Sequence, residues 1–182
     1  MADRTATTGY KQGDPTEEKQ FDEITLDIDR VARVVRGGRR FRFRALVAVG
    51  DHKGKVGIGI SKGADVTAAV TKATDVAKKN MITVPIYKGT IPHEVEAKVG
   101  GAKILLKPAS AGTGLIAGGA IRSILEVAGI SNVLSKSLGS SNKTNTAYAT
   151  IEALSQLTPA KNWITRTTQK SHSKESVNKK AK

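Results

Sequence analysis

Three features of the sequence predict an α+β fold built from two small modules. In each half, segments with the apolar–polar alternation of half-buried strands precede a segment with helical spacing. Hydrophobic residues make up 38% of the 182 residues and aromatic residues only 4%, so the core must be aliphatic. We expect the modules at residues 21–85 and 86–160, between two disordered tails, a polar one at 1–20 and a basic one at 161–182.

Three strands are predicted to open the first module. From Ile24 to Ile28, apolar and polar residues alternate; the next residues also fit a helix, but β-branched residues favour a strand with a bulge. Gly37-Gly38 would turn the chain into a second strand. One face of that strand would enter the core with Phe41, Phe43, Ala45, Val47 and Val49. A loop at Gly50–Gly54 leads to a third strand, in which Val56, Ile58 and Ile60 share a face.

A helix is predicted to complete this module as β-β-β-α. The carboxylate of Asp65 can accept hydrogen bonds from the free amides of a first helical turn. Apolar residues then follow at helical spacing up to Ala77. Lys78 and Lys79 lie near the expected C-terminus, where the helix dipole favours cations, and Asn80 suits the exit.

The second module is predicted to combine short strands with two helices. Strands are expected at Glu94–Val99 and Lys103–Lys107, followed by a glycine-rich segment at 108–114. A helix would then carry Leu115, Ile121, Ile124, Leu125 and Ala128 on one side. A short strand is expected at Ser131–Ser137 and a last helix at Asn142–Leu157.

The charge of the chain indicates a polyanionic partner. Thirty Lys and Arg residues against 16 Asp and Glu give a net charge of +14 and a pI near 10.1, which is typical of nucleic-acid-binding proteins; a merely basic soluble enzyme remains an alternative. The chain has no cysteine, and its three histidines are too far apart in sequence for a metal site, so we expect neither metal nor cofactor. The first twenty residues lack the apolar core of a signal peptide, and no segment has the length of a membrane span, so we expect no membrane partner.

An arginine-rich hairpin is the strongest candidate for binding RNA. The predicted contacts are Arg36, Gly37, Gly38, Arg39, Arg40, Arg42 and Arg44, with Lys53 and Lys55 from the following loop. Arg42 and Arg44 alternate with two phenylalanines, so their guanidinium groups should share the face opposite the rings. Asp27 and Asp29 could pair with some of this charge, but two carboxylates cannot neutralise five arginines. Few aromatic residues remain for stacking, which favours structured RNA recognised through backbone and shape.

A nucleotide-dependent enzyme is the main alternative. Gly112–Ala117 matches the loose G-x-G-x-x-A form of a dinucleotide fingerprint, but four residues separate it from the strand and no acidic residue suits the ribose position. Gly118 and Gly119 could instead allow close backbone packing, or amides at the helix start could hold an RNA phosphate. No nucleophile–base pair or paired carboxylates are visible, so we expect no enzyme.

Two long blocks of the sequence closely resemble the family of bacterial small-ribosomal-subunit protein five. They are GGRRFRFRALVAVGDHKGKVGIGISKG, residues 37–63, and KPASAGTGLIAGGAIRSILEVAGISNVLSKSLGSSN, residues 107–142. The resemblance covers about residues 21–157. It implies that the first domain is similar to the double-stranded-RNA-binding fold and that the second is a small α/β two-layer sandwich.

The same resemblance implies the function. The protein would be a structural constituent of the small ribosomal subunit in the cytoplasm, binding ribosomal RNA and supporting subunit assembly and translational accuracy, with no small-molecule substrate. It would contact neighbouring proteins four and eight and lie near the messenger RNA entry path. The segment toward protein four would include Gly112, Thr113, Gly114 and Arg122. A free double-stranded-RNA-binding module outside the ribosome is a weaker alternative.

Overall fold

The structure, a computed structural model, describes residues 21–159 and Asn162. Apart from Asn162, both predicted tails, residues 1–20 and 161–182, lie outside the described residues. The mixed α+β class predicted from the sequence is confirmed. The described residues form two four-stranded sheets with three helices.

The first sheet is antiparallel in the order β1-β2-β3-β4. Its strands are β1 (Asp22–Val35), β2 (Gly38–Gly50), β3 (Lys55–Gly63) and β4 (Met81–Thr83). Strand β1 continues through residues 28–35, so the helical alternative for this segment is wrong. The pairing register shifts between Thr25 and Asp27, so β1 does contain a bulge, but it lies before Ile28 and not after it as the sequence pattern predicted. The β-β-β-α order is confirmed, and the short strand β4 was not predicted.

Helix α1 (Val66–Lys79) lies directly against a strip of glycines on β3. It begins as predicted, because the Asp65 carboxylate accepts a hydrogen bond of 2.8 Å from the Val66 amide. A Cβ atom added to Gly59 would lie 1.9 Å from the carbonyl oxygen of Ala73. Ala73 itself is fully buried. Glycine on the strand and alanine on the helix therefore let the two backbones come closer than larger side chains would permit.

The second sheet has the order β5-β6-β8-β7. Its strands are β5 (Val95–Val99), β6 (Ala102–Pro108), β7 (Leu115–Ile116) and β8 (Val133–Gly139), and its helices are α2 (Gly119–Ala128) and α3 (Lys143–Ser155). All pairs are antiparallel except β7 with β8. The alternating burial of β5 and β6 places one face against the helices and leaves the other exposed, as in a two-layer α/β sandwich.

One prediction for this half is wrong: Leu115 lies in strand β7 and not in a helix. Gly114 adopts a positive φ of +74°, a conformation that glycine accepts without strain, and its carbonyl accepts a hydrogen bond from the Val133 amide. Leu115 is thereby placed beside β8. Helix α2 begins only at Gly119, after Gly118 at its N-cap.

The two halves share one apolar core. Leu46, Ala48 and Ile58 of the first sheet belong to the same buried cluster as Ile124 and Leu125 of α2. On the opposite face of β2, alternate residues pack against α1 in a separate cluster. The sequence predicted one apolar and one cationic face for β2, but both faces of its second half are buried. The exposed cationic surface is therefore confined to its first half.

Polar contacts also join the halves. The amides of His52 and Gly54, in the β2–β3 loop, donate hydrogen bonds of 3.0 Å to the carbonyl oxygens of Val127 and Ala128 at the end of α2. A Cβ at Gly129 would lie 2.0 Å from the carbonyl oxygen of His52. This loop and helix end therefore fit each other closely, which fixes the orientation of the first sheet on the second half.

Candidate nucleic-acid interface

The end of the β1–β2 hairpin projects beyond the rest of the first sheet. Pairing between β2 and β3 begins only at Phe43, so residues 31–42, here called the arm, form a two-stranded ribbon. Apart from Val31, all of the arm is exposed. A Cβ added to Gly37 or Gly38 at its tip would meet no atom within 4 Å, and Gly38 has a φ of +149°. The predicted turn is thus open to close approach by a ligand.

One face of the arm carries a cationic groove. The antiparallel register places Arg33 opposite Arg40, and in the neighbouring pair of strands Lys62 lies opposite Arg44. Arg33, Arg40, Arg42 and Lys62, here called the groove cations, line a groove of about 560 Å³ with Val31, Ala32 and Val35. Within the described part of the chain, none of the four forms an ion pair with a carboxylate. Like charges gathered without counterions favour a polyanionic ligand.

Arg44 differs from the groove cations because its charge is balanced within the protein. Its Nε and Nη2 atoms both donate to Oδ2 of Asp29, the residue directly opposite on β1. Asp27 instead accepts a 2.8 Å hydrogen bond from Nζ of Lys143 at the start of α3. The nearby carboxylates therefore neutralise one arginine of the predicted set.

Phe41 does not enter the core, contrary to the prediction. Its side chain is 50% exposed, and the guanidinium carbon of Arg30 lies 3.9 Å from its ring centroid. Phe43, two residues later, packs partly buried against the α1 cluster. Phe43 pairs with Gly63, which contacts the first turn of α1. Helix α1 therefore covers β2 as far as Phe43 and does not reach Phe41, two residues nearer the tip of the arm.

Lys53 and Lys55 lie at the other end of β2 from the arm tip. Since β2 has 13 residues, the two groups are separated by roughly 40 Å of strand. Burial raises the pKa of Asp51, but backbone amides of Lys55 and Lys53 donate to its Oδ1 at 2.9 and 2.8 Å, and the net pKa is lowered. Both lysine side chains are exposed. The predicted RNA-binding set thus forms two separate patches.

The glycine-rich segment is a closed turn and does not form a phosphate loop. The amides of Gly112 and Gly114 both donate to Oδ1 of Asn132, at 3.1 and 3.0 Å, and the Thr113 amide donates to the carbonyl oxygen of Ser110. Amides already used in this way are not free to hold a pyrophosphate. The match to a dinucleotide fingerprint therefore carries no nucleotide site.

The predicted protein-contacting residues are accessible, whereas the close-packing alternative for Gly118 and Gly119 is wrong. Gly112, Thr113 and the side chain of Arg122, in the first turn of α2, are exposed. A Cβ added to Gly118 or Gly119 would meet no atom within 4 Å, so no backbone packs closely there.

Sequence reasoning missed Arg33 and Lys62 of the groove and Arg30 beside Phe41. The signal for Arg33 lies in the position of the turn, because a two-residue turn at Arg36-Gly37 puts Arg33 directly opposite Arg40. Lys62 depends on the register of the second hairpin and could have been found by the same pairing argument.

Neither a metal site nor a membrane span is found in the described part of the chain. Residues 21–159 contain no group of three or more His, Asp or Glu side chains placed to hold a metal ion. The helices in the same range are too short or too polar to cross a bilayer.

An aliphatic body that extends an arm whose arginines form no ion pair with a carboxylate of residues 21–159 is typical of a nucleic-acid-binding protein. Comparison with known families narrows this class. Residues 21–85 match the model described as ribosomal protein S5, N-terminal domain, and residues 97–167 match ribosomal protein S5, C-terminal domain. The chain belongs to the ribosomal protein S5 family.

Relatives from three bacteria agree with this assignment, and each is named small ribosomal subunit protein uS5. The protein of Thermus thermophilus is 55% identical over 140 residues, 77% of this chain and 86% of the relative. That of Treponema pallidum is 51% identical over 148 residues, 81% and 86% of the two chains. That of Bacteroides thetaiotaomicron is 50% identical over 146 residues, 80% and 85%.

Proposed function

We propose that this protein is a structural constituent of the small ribosomal subunit and binds ribosomal RNA through the arm. The observation that carries this proposal is the set of groove cations, which have no carboxylate partner in the described residues. Membership of the ribosomal protein S5 family supplies the ribosomal context. The role is architectural and not catalytic, and its place is the ribosome of the bacterial cytoplasm.

The binding energy would come largely from neutralising phosphates. Each arginine or lysine that contacts a phosphate releases condensed counterions from the RNA. The planar guanidinium of Arg40 or Arg42 can also donate two parallel hydrogen bonds to one phosphate. In free protein the groove cations repel one another, and RNA would remove that repulsion. Lys53 and Lys55 would form a second contact, distant from the arm.

The specific neighbours are also part of the proposal. Gly112, Thr113, Gly114 and Arg122 would face small-subunit protein four, and other surface would contact protein eight. The protein would lie near the messenger RNA entry path. Asn132 holds the turn at Gly112 and Gly114 in one conformation, so this turn would need little ordering to bind a protein. Such contacts would support assembly and translational accuracy.

Sedimentation of cell extract tests whether the protein is part of the small ribosomal subunit. The full chain should travel with small subunits and, after ultraviolet irradiation, carry cross-links to their RNA. A chain that stays at the top of the gradient in growing cells would contradict the ribosomal role and favour a free RNA-binding module.

Binding of the purified chain to small-subunit RNA tests the role of the tip. Arg39→Ala combined with Arg40→Ala should weaken binding and reduce the salt slope of the association constant by about 1.4–1.8. Lys98→Ala combined with Lys136→Ala removes the same charge from exposed positions on the second sheet and serves as the matched control. A tip variant with an unchanged slope would argue against the proposal.

A further inference from the structure

The arm has a second face, opposite the one that carries the groove cations. On this side lie Phe41, Arg30 and Val34, together with Arg39, which is paired with Val34 in the cross-strand register. Phe41 is 50% exposed and Val34 is 76% exposed. Ala32, directly opposite Phe41, contributes only a methyl group, so the partner strand does not cover the ring.

Arg30 is the cation that lies against the Phe41 ring on this face. Its guanidinium carbon lies 3.9 Å from the centroid of the Phe41 ring, which is within the range of a cation–π contact. The nearest carboxylate in sequence, Asp29, belongs to the groove face and is bound there by Arg44. Arg30 therefore supplies positive charge to the Phe41 face with no carboxylate from that part of β1 to balance it.

An unpaired base of RNA matches this combination of groups. A base offers a flat π surface that can stack on a phenyl ring or on a guanidinium plane. The phosphate of the same nucleotide carries a negative charge that could pair with the guanidinium of Arg30. A protein partner would need both an apolar contact and a carboxylate at the same place. The net positive charge of this face favours the nucleotide.

We propose that Phe41 and Arg30 form a stacking platform for one unpaired base of ribosomal RNA. This inference rests on the proposed function and adds a second mode of contact to it. Phosphates would bind to the groove cations on one face of the arm, and a base would stack on the other. The arm would then lie between two segments of folded RNA, held by charge on one side and by stacking on the other.

Cross-linking and affinity measurements with the full chain and purified small-subunit RNA test the platform. Ultraviolet irradiation followed by peptide mass spectrometry should find a nucleotide adduct on Phe41. Phe41→Leu keeps apolar bulk without a ring, and it should weaken binding about fivefold or more while leaving the salt slope unchanged. Phe41→Tyr should restore the affinity. Val34→Ala, on the same face without a ring, is the matched control and should have little effect.

The outcomes separate this inference from the proposed function. If the wild-type chain binds the RNA with its full salt slope but Phe41→Leu binds equally well, the platform is refuted and RNA binding through the groove stands. If Phe41→Leu lowers the salt slope as the arginine variants do, its effect is on the whole arm and the platform is also refuted. In assembled subunits, a cross-link from Phe41 to a protein instead of a nucleotide would overturn it. If the wild-type chain binds no RNA, both proposals fail.

Discussion

Replacing Arg40 and Arg42 with alanine removes two of the four groove cations without touching the core. Both side chains are exposed and lack carboxylate partners among the described residues, so the fold should keep its stability. For a phosphate contact, the logarithm of the association constant falls by about 0.7–0.9 per tenfold increase in salt. We therefore expect the double variant to lower the slope by about 1.4–1.8.

This change in slope is large enough to measure directly. Between about 50 and about 200 mM salt, the affinity of the double variant for small-subunit RNA should fall about tenfold less than that of the wild-type protein. Filter binding or fluorescence anisotropy over a salt series gives the slope, and circular dichroism checks that the variant is folded.

A second double variant, Asp29→Ala with Arg44→Ala, provides the control. It removes an arginine of the same hairpin together with the carboxylate that balances it, so the net charge is unchanged. Its salt slope should equal that of the wild-type protein, and the loss of a half-exposed ion pair should cost at most about 1 kcal/mol of stability. If the two double variants lower the slope equally, the distinction between paired and unpaired arginines is wrong.

Three further predictions concern the fold. Gly59→Ala should lower the free energy of unfolding in urea by about 1–3 kcal/mol or more, because its Cβ would collide with the Ala73 carbonyl. Gly119→Ala, which has open space around the added Cβ, should not lower it. Equal stabilities of the two variants would contradict the close packing of α1 on β3. Residues 21–85 expressed alone should not fold stably, because the apolar core that they share with the second half would be exposed. A sharp unfolding transition of this fragment would show that the first module does not depend on the second half. Because the pKa of Asp51 is lowered in the folded state, the Asp51 carboxylate should stabilise the fold at neutral pH, and this stabilisation should be lost as the carboxylate is protonated at low pH. The difference in unfolding free energy between wild type and Asp51→Asn in urea should therefore shrink from about pH 6 to about pH 3. A difference that stays constant over this range would refute the prediction.

Local sequence patterns predicted the elements whose causes are local. The bulged first strand, the tight turn before β2 and the cap at Asp65 all follow from residues a few positions apart. The cap lies as expected, the turn falls one residue earlier than predicted, at Arg36-Gly37, and the bulge lies between Thr25 and Asp27, before the segment in which it was expected. The elements of the second module were harder to predict from local patterns. Leu115 fits a helical pattern, but its pairing with β8 depends on Val133, 18 residues later, and a local window does not contain that contact.

The candidate site shows the same division. The cationic hairpin was visible in the sequence, but which arginines are unpaired depends on Asp29 lying opposite Arg44. Likewise, the apolar pattern of Phe41 and Phe43 assigned both rings to the core. The point at which α1 ceases to cover β2 decided that Phe43 is partly buried and Phe41 is exposed.

The sequence by itself determined an aliphatic α+β chain of the ribosomal protein S5 family with an arginine-rich hairpin, because composition, alternation and motif order are properties of residues near one another in the chain. Tertiary structure alone decided that the two halves share a core, that Asn132 occupies the amides of the glycine turn, and that the arm presents a groove on one face and an aromatic ring on the other. Each of these depends on contacts between residues distant in sequence, whose partners are set only when strand register and helix packing are fixed.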